Sequence, residues 1–378
     1  MGKKILHVVN ISFVIPYYLG EQIDYFNSKG HSIIIACSPS EDFFEYSIKK
    51  SFIPLPLEIK RSFSIIKDLI AIFKLTLYLR NNSVDTVVGH TPKGALIALI
   101  SSWLTGVPNR IYFRHGLLFE TTSGLKRIFL KFIEKITSQM ATKIICVSQS
   151  VLEVSIQQKL SPLSKTIIIN NGTCNGIDAI KKFNPQNVSK NRDILDDLKE
   201  RLVSDVKIIG FVGRLVKDKG LLELLDAWKI LSEKNNKIHL LLIGPHEERD
   251  SLPEEYISYA RDCNSITMLG LIKEIESYYS IMDLFVLPSY REGFPTVVLE
   301  ASAMELPVIC SSKTGCIDSI LENETGLFTS ITPEDIAQKI QYLFDHPNKA
   351  KEMGRNGRRY IINNFQQNLI WESLEKIY

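Results

Sequence analysis

Gly210-Phe211-Val212-Gly213-Arg214-Leu215 closes an apolar run over residues 206–212 with a glycine, and Lys217, Lys219 and Gly220 follow before a helical pattern over 220–232. An apolar run of that length reads as a buried strand, and the helix after it completes a βα unit. In a parallel sheet the loop at the carboxyl end of a strand is where ligands bind. Arg214 can fork across two phosphate oxygens, and Lys219 can add a point charge. Taken alone, the segment reads equally as a tight turn carrying solvated cations.

The same alternation runs outward in both directions. Downstream, strands are expected at 238–243, 266–269, 284–287 and 308–310, with helices at 275–282, 296–304 and 333–344. Upstream, short β-branched runs recur at 5–9, 32–37, 84–89, 110–113, 143–147 and 166–169, separated by helical stretches such as 63–80, 94–104 and 125–139. Strands alternating with helices in this way make a parallel sheet covered on both faces. The alternation breaks once. Residues 170–189 hold Asn171-Gly172, Asn175-Gly176 and Asn184-Pro185, turn pairs with no apolar period, and a charged stretch over 191–201 then reads as a surface helix. A hinge near Gly172 divides the 378 residues into a first domain over 1–172 and a second over 173–363. Each is long enough to bury its own core. The tail over 364–378, which carries Trp371, reads as a final helix packed back on the first domain. The fold class is α/β, in two Rossmann-like halves.

Glu292-Gly293-Phe294-Pro295-Thr296 follows the strand expected at 284–287 and opens a helix. Pro295 suits a first helical turn, Gly293 allows close backbone approach, and the free N–H groups at the helix start can hold a diphosphate. Glu292 in the loop and Glu300 in the second turn can face one ligand, and a carboxylate accepting two hydroxyl hydrogen bonds is a common grip on a sugar. The alternative makes Glu300 an ordinary surface residue. In the first half, His90-Thr91-Pro92-Lys93 follows the strand at 84–89, and Arg114-His115-Gly116 follows the strand at 110–113. A lone histidine in such a loop is more often structural than catalytic, but two such loops on one sheet add weight to a functional role.

Several classes drop out. No G-x-G-x-x-G follows the first strand, and neither a Walker lysine motif nor HExxH occurs. No Asp-x-Asp pair is present, so no metal site is expected, and charge neutralisation falls to Arg, Lys and helix N-termini. A net charge of +3 is too small to make nucleic acid the main partner. The six cysteines form no C-x-x-C pair; Cys37, Cys146 and Cys310 lie in or beside apolar runs and read as buried hydrophobes in a reducing compartment. Lys3 and Lys4 before an apolar stretch over 5–18 mimic a signal peptide, but His7, Asn10 and Ser12 interrupt it, and a buried first strand is expected. No run reaches 18 uninterrupted apolar residues, so no spanning helix is expected.

Together these residues resemble glycosyltransferase family 4 of the GT-B fold. Gly213-Arg214-Leu215 with Lys219-Gly220 is similar to that family's diphosphate loop, and Glu292 and Glu300, seven residues between them, match its E-x7-E motif in a Glu-Gly-Phe-Pro setting. The loops at His90 and His115, and the stretch over 171–178, resemble the branch that builds capsule and O-antigen repeat units. One departure stands at 10–16, Asn-Ile-Ser-Phe-Val-Ile-Pro, where many members carry a Gly-Gly loop. The resemblance implies two Rossmann-like domains whose parallel sheets face each other across a cleft. It implies retaining transfer of a sugar from a UDP-sugar donor to a polyprenyl-diphosphate-linked saccharide, with no metal or cofactor. The sugar would be an N-acetylhexosamine, with galactose or glucose as alternatives. Arg214 and Lys219 would hold the donor diphosphate, with Gly213, Gly293, Phe294, Pro295 and Thr296 around the donor. Glu300 would bind the ribose and Glu292 the sugar. His115 would position the sugar from the first domain, with His90, Lys93 and Arg114 on the acceptor side of the cleft. The rival readings are a non-catalytic GT-B binding subunit and a UDP-sugar epimerase.

A lipid-linked acceptor brings in a membrane. Lys126, Arg127, Phe129, Leu130, Lys131, Phe132, Ile133 and Lys135 make a basic helix with large apolar residues near 125–136, and the stretch near 60–74 is similar. Such helices can lie in an anionic interface. The alternative puts their apolar stripe in the domain core and their lysines in water. The expectation is a cytoplasmic protein held peripherally on the cytoplasmic face of the plasma membrane.

Overall fold

The computed structural model describes residues 2–60, 64–188, 206–247 and 250–378. The surface helix expected over 191–201 lies outside the described residues. The chain divides into two compact units, residues 1–176 with 367–378, and residues 177–366.

In the first unit β1 (Lys4–Val8), β2 (Ser32–Cys37), β3 (Ile53–Pro56), β4 (Thr86–His90), β5 (Asn109–Arg114), β6 (Lys143–Cys146) and β7 (Thr166–Ile168) form one sheet among the described residues. The strands are parallel, in the order β3-β2-β1-β4-β5-β6-β7. Ile5, Leu6 and Val8 of β1 are fully buried, as a strand covered by helices on both faces must be. The helix Gln367–Glu375 belongs to this unit. Its Trp371 indole donates to Asn175 Oδ1 at 2.8 Å, and Tyr25 donates to Glu375 at 2.8 Å.

The second unit carries β8 (Lys207–Val212), β9 (Ile238–Ile243), β10 (Ile266–Leu269), β11 (Leu284–Leu287), β12 (Val308–Ser311) and β13 (Gly326–Thr329), again parallel, in the order β10-β9-β8-β11-β12-β13. Both orders are Rossmann orders. Each reverses direction beside its first strand, between β1 and β4 and between β8 and β11. At such a switch point the crossovers leave on opposite faces and open a crevice at the carboxyl ends of the strands.

On one face of the first sheet the helix Pro92–Leu104 packs against both Ile65–Asn81 and Gly124–Met140. Ile65–Asn81 buries only Ala71, Leu75 and Leu79, whereas Ile65, Ile66, Leu69 and Phe73 lie open, Ile65 at 79%. Leu125, Ile128 and Phe132 of Gly124–Met140 are open as well. No helix among the described residues is long and apolar enough to cross a membrane.

Candidate active site

In the second unit, residues 73 positions apart in the chain come together. β8 pairs with β11, Leu284 beside Ile209 and Phe285 beside Gly210, so the loops leaving their carboxyl ends run side by side. Lys219 Nζ forms an ion pair with Glu292 Oε1. Asp218 stitches the same loops: its carbonyl accepts from Tyr290 N at 2.9 Å and its carboxylate from Arg291 Nη2 at 3.1 Å. Gly220, at φ 69°, makes the turn between them possible. A Cβ there would stand 2.0 Å from the Pro288 carbonyl oxygen, so a larger residue would push Lys219 away from Glu292. Gly213 N donates to Ile243 O at 2.9 Å, and Arg214 is ion-paired with Glu247 in the loop after β9. Each of the two cations is thus held by a carboxylate at the strand ends.

From Glu292 the chain passes Gly293 and Phe294, whose ring centroid lies 5.3 Å from that of Phe365. Glu292 N donates to Thr314 O at 3.0 Å, and Gly315, at φ 81°, lets that neighbouring loop approach; a Cβ there would stand 2.6 Å from Glu292 O. Pro295 is the N-cap of the helix Thr296–Ala303, not its first residue, and no side chain caps this helix start. Its leading N–H groups therefore keep capacity for an anion. Glu300, in the second turn, is partly buried, and its Oε2 accepts from the Tyr279 hydroxyl at 2.9 Å. Burial pushes the Glu300 carboxyl above its ordinary range, while the Tyr279 hydroxyl and the Lys182 ammonium pull it back.

The first unit builds a different cluster at its own switch point. β4 ends at His90, and His115 directly follows β5. His90 Nδ1 lies 2.8 Å from His115 Nε2, and His90 Nε2 lies 3.0 Å from Nδ1 of His7 on β1. Tyr18 stacks on His115, ring centroids 3.8 Å apart and planes within 7°. Burial pushes His7 and His115 down to about 3 and His90 well below the ordinary histidine value, so all three rings are neutral near pH 7. Thr91, next after His90, sits at φ 61°, a costly conformation for a β-branched residue. Its Oγ1 accepts from Gly94 N at 3.3 Å and caps the helix Pro92–Leu104.

Two residues expected on the acceptor side are committed elsewhere. Lys93, in the first turn of that helix, is buried in an ion pair with Asp68 at 2.6 Å. Arg114 is 0% exposed. Alternation along β5 puts it on the face of Tyr112, opposite Phe113. There its Nε meets Glu134 Oε2 at 3.1 Å, Nη2 donates to Ser138 Oγ at 2.7 Å and Nη1 to Ser161 Oγ at 3.2 Å. Arg114 is therefore an interior cation beyond reach of an acceptor, which corrects the expectation drawn from its place beside His115. Conversely, His7, Tyr18, Glu247 and Tyr279 belong to these clusters and were not singled out from sequence. Only His7 left a trace, as a polar interruption of an apolar strand.

Two Rossmann units in one chain, each with a polar cluster at its switch point, are the architecture of a GT-B glycosyltransferase. The chain aligns with the crystal structure of a glycosyltransferase from Rickettsia africae ESF-5 at a TM-score of 0.79 and 23% identity, covering 100% of this chain and 98% of that one. Residues 195–360 match the family model of glycosyl transferases group 1, and residues 4–148 that of glycosyl transferase 4-like proteins. The capsular polysaccharide biosynthesis glycosyltransferase CapM of Staphylococcus aureus is 33% identical over 378 residues, 100% of this chain and 97% of the relative. The UDP-Gal:alpha-D-GlcNAc-diphosphoundecaprenol alpha-1,3-galactosyltransferase of Escherichia coli is 29% identical over 337 residues, 86% of this chain and 82% of the relative. The chain belongs to this family of glycosyltransferases and is a transferase enzyme.

Proposed function

We propose that the chain moves an N-acetylhexosamine from a UDP-sugar to a polyprenyl-diphosphate-linked saccharide, with retention of configuration, during assembly of a surface polysaccharide. The observation that supports this is the ion pair of Lys219 with Glu292 across the loops that leave β8 and β11, with Arg214 at the end of β8 and the uncapped start of the helix Thr296–Ala303 four residues after Glu292. Cations and unpaired N–H groups at such a crevice suit a diphosphate. When the bond from the anomeric carbon to phosphate oxygen breaks, negative charge grows on the leaving diphosphate. These groups then bind it more strongly than they bind the intact donor, which lowers the barrier. The acceptor hydroxyl attacks from the face the leaving group departs, and its proton passes to the departing phosphate oxygen. No enzymatic nucleophile is required. Glu300, held by Tyr279, takes the ribose; Glu292, held by Lys219, contacts the sugar; His115 of the first unit positions it.

The names of the relatives support the substrate class, one being a capsular polysaccharide glycosyltransferase and another acting with UDP-Gal on a diphosphoundecaprenol-linked sugar. The latter makes galactose the competing donor sugar. A panel of UDP-sugars offered with short polyprenyl-diphosphate-linked acceptors, followed by mass spectrometry and NMR of the new linkage, tests the proposal. The expected product is a lipid-linked saccharide one sugar longer with the donor's anomeric configuration. An inverted linkage, an epimerised UDP-sugar formed without acceptor, or no turnover with any donor would overturn it.

The lipid of the acceptor calls for a docking surface. The open apolar residues of Ile65–Asn81 and Gly124–Met140, on the same helices as Lys74, Lys126, Arg127 and Lys131, suit an anionic interface. Peripheral attachment through this face of the first unit, on the cytoplasmic side of the plasma membrane, is the reading they support. Wild-type protein is expected to float with phosphatidylglycerol-rich vesicles. A Lys126→Glu/Arg127→Glu/Lys131→Glu variant should bind roughly 100-fold more weakly or worse, since each of the three cations near such a surface contributes about 1 kcal/mol. Equal, negligible binding by both proteins would end the membrane reading.

A further inference from the structure

The histidine chain of the first unit carries a constraint that none of its rings would carry alone. Each N···N contact, 3.0 Å from His7 to His90 and 2.8 Å from His90 to His115, holds one proton. A neutral imidazole has a proton on one nitrogen and a lone pair on the other. His90 uses both nitrogens, so it must donate to one neighbour and accept from the other. Two arrangements satisfy both contacts. In one, His115 Nε2–H donates to His90 and His90 Nε2–H donates to His7, which leaves His115 Nδ1 an acceptor. In the other every proton sits at the opposite end of its contact, and His115 Nδ1 carries the hydrogen. The three tautomers therefore change together or not at all.

The surroundings favour neutral, immobile rings. His7 and His90 are each 1% exposed. Phe113 stacks on His90 and on His115, with centroids 5.5 and 5.0 Å apart, and Tyr18 covers His115. The edge of Tyr378 meets His7 at 5.7 Å. Apolar and aromatic packing of this kind opposes an added charge on any member. A neutral ring matters at a sugar whose anomeric carbon becomes electron-poor as its bond to phosphate breaks, because an imidazolium there would oppose the transition state.

We infer that His7 and His90 are positioning residues that lock His115 as a neutral imidazole in one tautomer, so that its remaining nitrogen, Nδ1, meets the donor sugar with a fixed hydrogen-bond character. This rests on the assignment of His115 to the donor sugar. The tautomer of a histidine is set by what its other nitrogen binds, and here that partner is a second histidine that itself contacts a third, spanning the β1/β4 switch point.

The test uses the full-length enzyme labelled with 15N-histidine. A long-range proton–nitrogen spectrum at neutral pH should show His7, His90 and His115 neutral, each in a single tautomer, with all protons directed the same way along the chain. Mixed tautomers or a protonated ring in the wild type would overturn the inference without any variant. His7→Phe, which keeps an aromatic ring but removes the hydrogen bond, should leave His115 in mixed tautomers. It should lower kcat by about tenfold or more, the lower end of the loss met when the partner that orients a metal-bound histidine is removed, with little change in KM for the donor. His7→Asn, whose amide stands near the position of Nδ1, should recover most of the rate. A folded His7→Phe enzyme with wild-type kcat would overturn the relay. His115→Ala separates the two levels. Loss of activity in His115→Ala together with full activity in His7→Phe removes the relay alone; full activity in His115→Ala removes the placement of His115 at the sugar and the relay with it.

Discussion

Lys219→Ala should slow sugar transfer by about 100- to 1000-fold, the loss found when one preorganised donor to a developing negative charge is deleted. Lys219 is held against Glu292 by a turn that only Gly220 fits, at the ends of paired strands. Its position is thus fixed before any donor arrives, and no reorganisation is needed as the diphosphate leaves. The substitution also strips Glu292 of its counter-charge, leaving a carboxylate to repel the departing phosphates. The loss in kcat should exceed the loss in affinity for UDP, because the charge being stabilised is larger in the transition state than in the intact donor. Single-turnover transfer followed by mass spectrometry measures it. Wild-type turnover by the folded variant would remove Lys219 from the chemistry.

Glu134→Ala should destabilise the first unit by about 3–5 kcal/mol, because it leaves the Arg114 guanidinium charged and unmatched in the interior. Arg114 is fully buried and Glu134 nearly so, and the carboxylate also accepts from the Tyr112 hydroxyl at 2.9 Å. Burial pushes the Glu134 carboxyl up and the Arg114 guanidinium opposes that shift, so the acid depends on its partner as much as the cation does. For a unit of this size the expected fall in melting temperature is roughly 10 °C. Replacing both partners, Arg114→Met with Glu134→Leu, should cost much less than Glu134→Ala, since removing a buried pair together leaves no lone charge. A Glu134→Ala protein that melts with the wild type would show that the pair does not hold this core.

The strand–helix alternation was legible because strands covered on both faces must be apolar throughout. Two strands escaped for the complementary reason. Ile53–Pro56, with Pro54 and Pro56, and Gly326–Thr329 each form one edge of a sheet. An edge strand has one side without ladder partners and tolerates proline, so neither shows the long apolar run of its neighbours. The helix Pro347–Asn364 escaped because it buries little beyond Met353, Gly354, Gly357 and Ile361 and is otherwise polar.

At the proposed site, the places of Arg214, Lys219, Glu292 and Glu300 at strand ends and in a helix are readable from the sequence. Their partners were not. Glu247 reaches Arg214 through the β8–β9 pairing, and Tyr279 reaches Glu300 from the segment before β11. Sheet order, which no local pattern encodes, brings them in. Arg114 was misplaced because it is next to His115 in the chain, and neighbours along a strand face opposite ways.

The proposed grip of the second unit on a diphosphate is tested most directly by calorimetric titration of UDP into the wild type and into Arg214→Ala and Lys219→Ala variants that melt like it. Each substitution is expected to weaken binding by at least ~1.5 kcal/mol, the cost of one lost charge-assisted contact. Unchanged UDP affinity in both variants would contradict the placement of the diphosphate at these strand ends.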